Sequence, residues 1–134
     1  RIDRLPAGGV IIYDYKTGAI PTKNQIEQFD KQLPLEGAMA AAGAFADIGP
    51  NPVAGLEYIG LGGGGRIHAV DISDGQINDA LAGLQTLLRA YQNPETGYTA
   101  RARMELRTNV SDYDHLSRLG EWDDSDPAMA KDVS

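Results

Sequence analysis

Arg1-Ile2-Asp3-Arg4-Leu5, Pro6-Ala7-Gly8-Gly9 and Val10-Ile11-Ile12-Tyr13-Asp14-Tyr15-Lys16-Thr17-Gly18 read in order as a strand, a turn and a second strand. A strand sends alternate side chains to opposite faces, so Asp14 and Lys16 share a face with Val10 and Ile12. A turn spanning Pro6 to Gly9 sets Leu5 opposite Val10 and Asp3 opposite Ile12, which brings Asp3 onto the face of Asp14. Diagonal neighbours on one face of an antiparallel pair lie roughly 7–8 Å apart, a gap that two carboxylates leaning inward close around one hard cation. A turn one residue shorter or longer turns Asp3 away.

These residue types suit phosphodiester cleavage. That reaction needs charge neutralisation at the phosphate and a water made nucleophilic near neutral pH, and Mg²⁺ held by oxygen ligands supplies both. Asp3 and Asp14 are the candidate ligands. Lys16, one pleat beyond Asp14, aims a point charge on a flexible stem at the attacking water or the scissile phosphate. The alternative is a surface hairpin in which Asp3 pairs with Arg1 or Arg4.

Arg1-Ile2-Asp3-Arg4-Leu5, Gly8-Gly9, Asp14-Tyr15-Lys16-Thr17-Gly18, Gln32-Leu33-Pro34-Leu35-Glu36 and Tyr113-Asp114-His115-Leu116-Ser117-Arg118 with Glu121-Trp122 together resemble the C-terminal nuclease domain of the AddB family, in its alphaproteobacterial form. The similarity covers nearly the whole chain and keeps the family's motif order. It implies an α/β fold of the PD-(D/E)xK, RecB-type kind, a mixed sheet flanked by helices. It also implies a metal-dependent DNA exonuclease acting in double-strand-break repair and recombination beside an AddA-like helicase-nuclease subunit. By resemblance Asp3 is the second-motif metal ligand, Asp14 the third-motif acidic ligand and Lys16 the third-motif lysine. Gln32 matches a helix glutamine that holds the substrate or the site. Many relatives carry a tyrosine four residues after it, where this chain has Glu36. Such nucleases also place a metal-binding histidine on a helix ahead of the first aspartate. His68 and His115 both lie downstream, so the chain reads as an N-terminally truncated domain whose site is incomplete and whose cleavage, even with Mg²⁺ or Mn²⁺, is weak or absent. A sheet face left bare by that helix invites dimerisation.

Composition bounds these readings. The 134 residues, 42% of them hydrophobic, build one core and hardly two. No run is long enough to span a membrane and Arg1 opens no signal-peptide pattern, which leaves a cytoplasmic location as the expectation. The absence of cysteine excludes disulfides, thiolate zinc sites and an iron-sulfur cluster within this stretch. A net charge of −7 is unusual for a DNA binder, although Asp112, Asp114, Glu121, Asp123, Asp124, Asp126 and Asp132 concentrate it near the end. It supports a second function class: a nuclease-fold scaffold without activity that binds DNA or the partner subunit. A third is a generic acidic interaction module.

Thr22 with Gln25 forms a capping box opening a helix through Ile26 and Phe29. Pro34 interrupts or restarts it, and Leu33, Leu35, Met39 and an alanine run carry it to Phe45. Gln32, at the junction, reads without the resemblance as a solvated helix-end residue. Gly49-Pro50-Asn51-Pro52 is a loop, Leu56 to Leu61 a strand, and Arg66 to Ile72 a second strand bearing His68, which reads as a half-buried or surface residue. Gly62 to Gly65 fails as a phosphate loop, because no Gly-Lys-Ser/Thr and no helix follow; it reads as a hairpin tip. Ser73 and Gln76 cap a helix over 74–92 whose face of Ile77, Ala80, Leu81, Leu84, Leu87, Leu88 and Tyr91 is core. Beyond Asn93-Pro94, Arg101, Arg103 and Arg107 either lie along a DNA backbone or decorate a solvated edge strand. Tyr113, Leu116, Leu119 and Trp122 suggest a closing helix over 112–121, in which His115 hydrogen-bonds Asp112 or Asp114. The domain then runs 1–122, followed by an acidic disordered tail over 123–134.

Overall fold

Gly8 and Gly9 both take positive φ, 95° and 86°, and this fixes the register of the opening hairpin. The computed structural model describes residues 1–62, 66–70, 74–97, 114–118, 120–122 and 125–126. Its first two strands are β1 (Ile2–Arg4) and β2 (Val10–Lys16). The Leu5 N–H donates to the Gly9 carbonyl at 3.0 Å and the Gly8 N–H to the Leu5 carbonyl at 3.0 Å, so the loop takes in Leu5 as well as Pro6 to Gly9. Arg4 therefore pairs with Val10, Asp3 with Ile11 and Ile2 with Ile12. The expected register is off by one residue, and in a strand one residue reverses every side chain. Ile2 packs against the core beside Ile12, while Asp3 lies on the opposite face from Asp14.

The sheet is four-stranded in the order β1-β2-β3-β4, with β3 at Val53–Gly60 and β4 at Arg66–Val70. β1/β2 and β3/β4 are antiparallel, and β2/β3 is parallel. A parallel pair cannot be joined by a tight turn. Here the crossover carries α1 (Lys23–Gln28) and α2 (Gln32–Ala41). The result is the mixed α/β sheet with helices that the sequence led us to expect.

The Thr22–Gln25 capping box is formed: the Gln25 N–H donates to Thr22 Oγ1 and the Thr22 N–H to Gln25 Oε1. The helix break falls at residues 29–31 and not at Pro34, which occupies the first turn of α2, where its missing N–H costs no helical bond. α2 ends at Ala41, short of Phe45, as Gly43 turns to φ 76°.

Val10, Ile12, Leu56 and Tyr58 on one sheet face pack with Ile26 of α1, Leu33, Ala38 and Ala40 of α2, and Ile77. At Gly37 a Cβ would meet Ile77 and Leu56 methyl groups at 3.4 Å, so the small residue sets how closely α2 rides on the sheet.

The structure divides into two compact units, Arg1–Gln85 and Thr86–Ser134. α3 (Asp74–Tyr91) runs from the first into the second, and its expected core face is only partly used. In the first unit Ile77 is buried and Leu81 partly so, but Leu84 is 36% exposed; in the second, Leu87 and Leu88 are more than half exposed. The expected closing helix is, among described residues, a turn over 114–118, in which the Arg118 N–H donates to the His115 carbonyl and Arg118 takes φ 54°. A left-handed residue cannot continue a right-handed helix. The Trp122 indole N–H donates to the Ser117 carbonyl at 2.7 Å, and Arg118 pairs with Glu121. Ser73, the capping serine expected before α3, lies outside the described residues. Among the described residues no helix is long and apolar enough to cross a membrane.

Candidate active site

Period two along β2 brings Asp14 and Lys16 to the helix-covered face, immediately after the buried Val10 and Ile12. The parallel register then sets Asp14 beside Tyr58 and Lys16 beside Gly60. With no side chain at Gly60, the lysine stem has room on that side. These positions lie at the C-terminal ends of two parallel strands, where ligands gather in open α/β sheets.

The crossover supplies a third charged group. Asp30 sits between α1 and α2, its N–H donating to the Gln25 carbonyl at 2.8 Å. Lys16 Nζ lies 2.9 Å from Asp14 Oδ2 and 3.6 Å from Asp30 Oδ2, and 5.3 Å from the centre of the Tyr58 ring. All three charged side chains are partly buried, at 26% exposure for Lys16, 16% for Asp14 and 24% for Asp30. Hydrogen bonding to Asp14 raises the Lys16 pKa above its ordinary value; burial opposes this and the Asp30 charge adds to it.

Tyr58 is fully buried, and among the described residues its hydroxyl has no hydrogen-bond partner. Leaving such a group unsatisfied costs about 1–3 kcal/mol, and the nearby Asp30 carboxylate is the acceptor that can relieve it. Burial raises its pKa well above the usual phenol range, and the charges of Asp30 and Asp14, hydrogen bonding toward the Asp30 carboxylate and the charge of Glu36 raise it further. The phenol is thus a neutral donor facing acidic oxygens.

Gln32 begins α2, and its Nε2 donates to Glu36 Oε1 at 3.0 Å, one helical turn on. Glu36 therefore holds the glutamine amide and adds to the negative field at Tyr58. Asp3 takes no part. It pairs with Arg1 at 2.8 Å on the other face, the partner that the plain surface-hairpin reading gives it. His68 pairs with Tyr58 across β3/β4 and is exposed, and His115 is exposed on its turn. Arg101, Arg103 and Arg107 lie outside the described residues.

Sequence reasoning missed Asp30 and Tyr58. Asp30 carries no motif of its own, but placing the helix break before Gln32 would have put it in a loop over the strand ends. Tyr58 follows Leu56 at period two along β3, yet its place beside Asp14 depends on a parallel register that no local pattern encodes.

A divalent cation suits part of this donor set. Asp14 offers a hard oxygen here, and Mg²⁺ is commonly bound through one or two carboxylates with substrate phosphate and water completing its shell. Among the described residues no group of three histidine, cysteine, aspartate or glutamate side chains converges.

In comparison with known proteins, a family model described as PD-(D/E)XK nuclease superfamily matches residues 1–103. No curated protein and no solved structure matches the chain.

Proposed function

Since the chain belongs to the PD-(D/E)XK nuclease superfamily, we propose that it is the nuclease domain of an AddB-type subunit, hydrolysing DNA phosphodiester bonds with Mg²⁺, or Mn²⁺ in its place. In this reading it works beside an AddA-like helicase in double-strand-break repair and recombination. The observation that carries the reading is the convergence of Asp14, Lys16 and Asp30 over Tyr58 at the ends of β2 and β3.

The residues divide the work. Asp14 holds the cation, which when bound supplies charge neutralisation at the phosphate and an activated water. Lys16, kept protonated by its carboxylate neighbours, acts as a donor and not as a base: it orients the scissile phosphate and meets charge developing on the phosphoryl oxygens. The Tyr58 hydroxyl donates to whatever acceptor enters the cluster. Gln32, its amide fixed on Glu36, orients the substrate from the start of α2. Asp3, turned to the opposite face, is not part of this set.

Incubation of the AddB-type subunit that carries this domain with linear duplex DNA and Mg²⁺ tests the reading. Cleavage that needs the metal and disappears in Asp14→Ala supports it, and cleavage unchanged by Asp14→Ala overturns it. The second reading, a nuclease-fold scaffold that binds DNA or a partner without cutting, draws on the lack of a three-ligand cluster among the described residues and on the net charge of −7. Salt-dependent DNA binding without metal-dependent cleavage would favour it.

A further inference from the structure

Lys16 has two carboxylates within reach, and the cation wants one of them. Its ammonium lies 2.9 Å from Asp14 Oδ2, so a divalent ion bound to that oxygen at about 2.0–2.1 Å meets a positive charge already in contact. Two cations on one carboxylate oxygen repel strongly, the more so at 16% side-chain exposure. The ammonium has to leave.

We propose that Asp30 is the positioning residue that receives the Lys16 ammonium when Asp14 turns to a divalent cation, with the Tyr58 ring as the face over which the ammonium moves. The proposal rests on the nuclease reading for the role of Asp14 as the cation's ligand. Asp30 Oδ2 is already 3.6 Å from Lys16 Nζ, so a shift of less than about 1 Å brings the two into full contact. The lysine stem is flexible, Gly60 beside it offers no side chain to block it, and the ring 5.3 Å below attracts a cation throughout the move. The main chain at Asp30 is held by its N–H, which donates to the Gln25 carbonyl. Asp30 thus acts through Lys16 and does not itself hold the cation.

Mn²⁺ binding, followed by titration calorimetry on the protein without DNA, separates the alternatives. Asp30→Asn, which strands the ammonium on Asp14, should weaken Mn²⁺ binding about tenfold, the scale seen when partners behind a metal ligand are removed. Asp30→Glu should restore it. Lys16→Met in the Asp30→Asn background should return the affinity to that of Lys16→Met alone, since no ammonium is left to house. A direct ligand role for Asp30 gives the opposite result, a double variant as weak as Asp30→Asn, and overturns the proposal. Wild-type affinity in Asp30→Asn, or no Mn²⁺ binding by the wild type, overturns it too. If Asp30→Asn does not fold by circular dichroism, the comparison of Lys16→Met with the double variant decides. DNA cleavage measured in parallel separates this proposal from the reading beneath it. An intact binding cycle without cleavage fails the nuclease reading alone, and cleavage with no difference among the Asp30 variants fails the Asp30 role alone.

Discussion

Arg1–Asp3 and Lys16–Asp14 are chemically the same contact, 2.8 and 2.9 Å long, on opposite faces of one hairpin. The first is open to water, its side chains 61% and 37% exposed; the second is enclosed at 26% and 16%. Solvent screens the outer pair, so it neither stabilises the fold much nor stores any capacity to act on a ligand. The inner pair keeps its field because α1, α2 and the sheet exclude water around it, and it has a second carboxylate and an unsatisfied hydroxyl as neighbours. Face, and not residue type, separates a surface ion pair from a candidate site.

The sharpest way to break this comparison is to remove one aspartate from each face. Asp14→Ala should lower DNA cleavage by more than about 100-fold, since it removes the cation's protein ligand, while Asp3→Ala should leave cleavage close to wild type. Equal losses in a cleavage assay would mean that β1 works in a register one residue away from the one seen here.

Alkaline unfolding sharpens the same contrast. Lys16 and Tyr58 both have pKa values raised in the fold above their ordinary 10.5 and 10.0. A raised folded value gives stability that is fully present below the unfolded pKa and is lost as pH rises through the folded one. Thermal melts should therefore hold steady through neutral pH and fall above about pH 10. Tyr58→Phe should reduce that fall; an identical alkaline profile would show that the inner face does not control it.

Near neutral pH the same Tyr58→Phe change should be neutral or stabilising by about 1 kcal/mol in urea denaturation, because it removes a buried hydroxyl that lacks a partner. A clear loss of stability would show that the hydroxyl is bonded in solution. The smallest effect belongs to the outer pair: Arg1→Ala should leave the melting temperature unchanged within error, and a measurable drop would mean that the β1 face is less solvated than its exposure indicates.

Much of this was legible in the chain itself. Alternation placed Asp14 and Lys16 on the face of Val10 and Ile12, the Thr22–Gln25 box opened α1, and the family resemblance implied the mixed α/β sheet flanked by helices. What misled was local: the loop takes in Leu5 as well as Pro6 to Gly9, and this one residue of slip moved Asp3 to the face opposite Asp14. What stayed hidden was non-local. Asp30 and Tyr58 reach Lys16 only through the crossover and the parallel pairing, which depend on tertiary packing. The apolar stripe of α3 was visible as a pattern, but a pattern does not say how far along a helix its neighbours extend.

The parallel β2/β3 pair has a consequence for how the molecule comes into being. Asp14 and Tyr58 are register partners separated by an entire helical crossover, so a growing chain has made β1, β2 and both crossover helices before the tyrosine exists. Pairings of such sequence separation form late, after the loop entropy between them has been overcome. During synthesis Lys16 and Asp14 are therefore present as ordinary hydrated charges, and their enclosure comes with the closing of β3. On the nuclease reading, a centre assembled in this order is inert in nascent and partly unfolded chains, and its competence becomes a readout of completed folding.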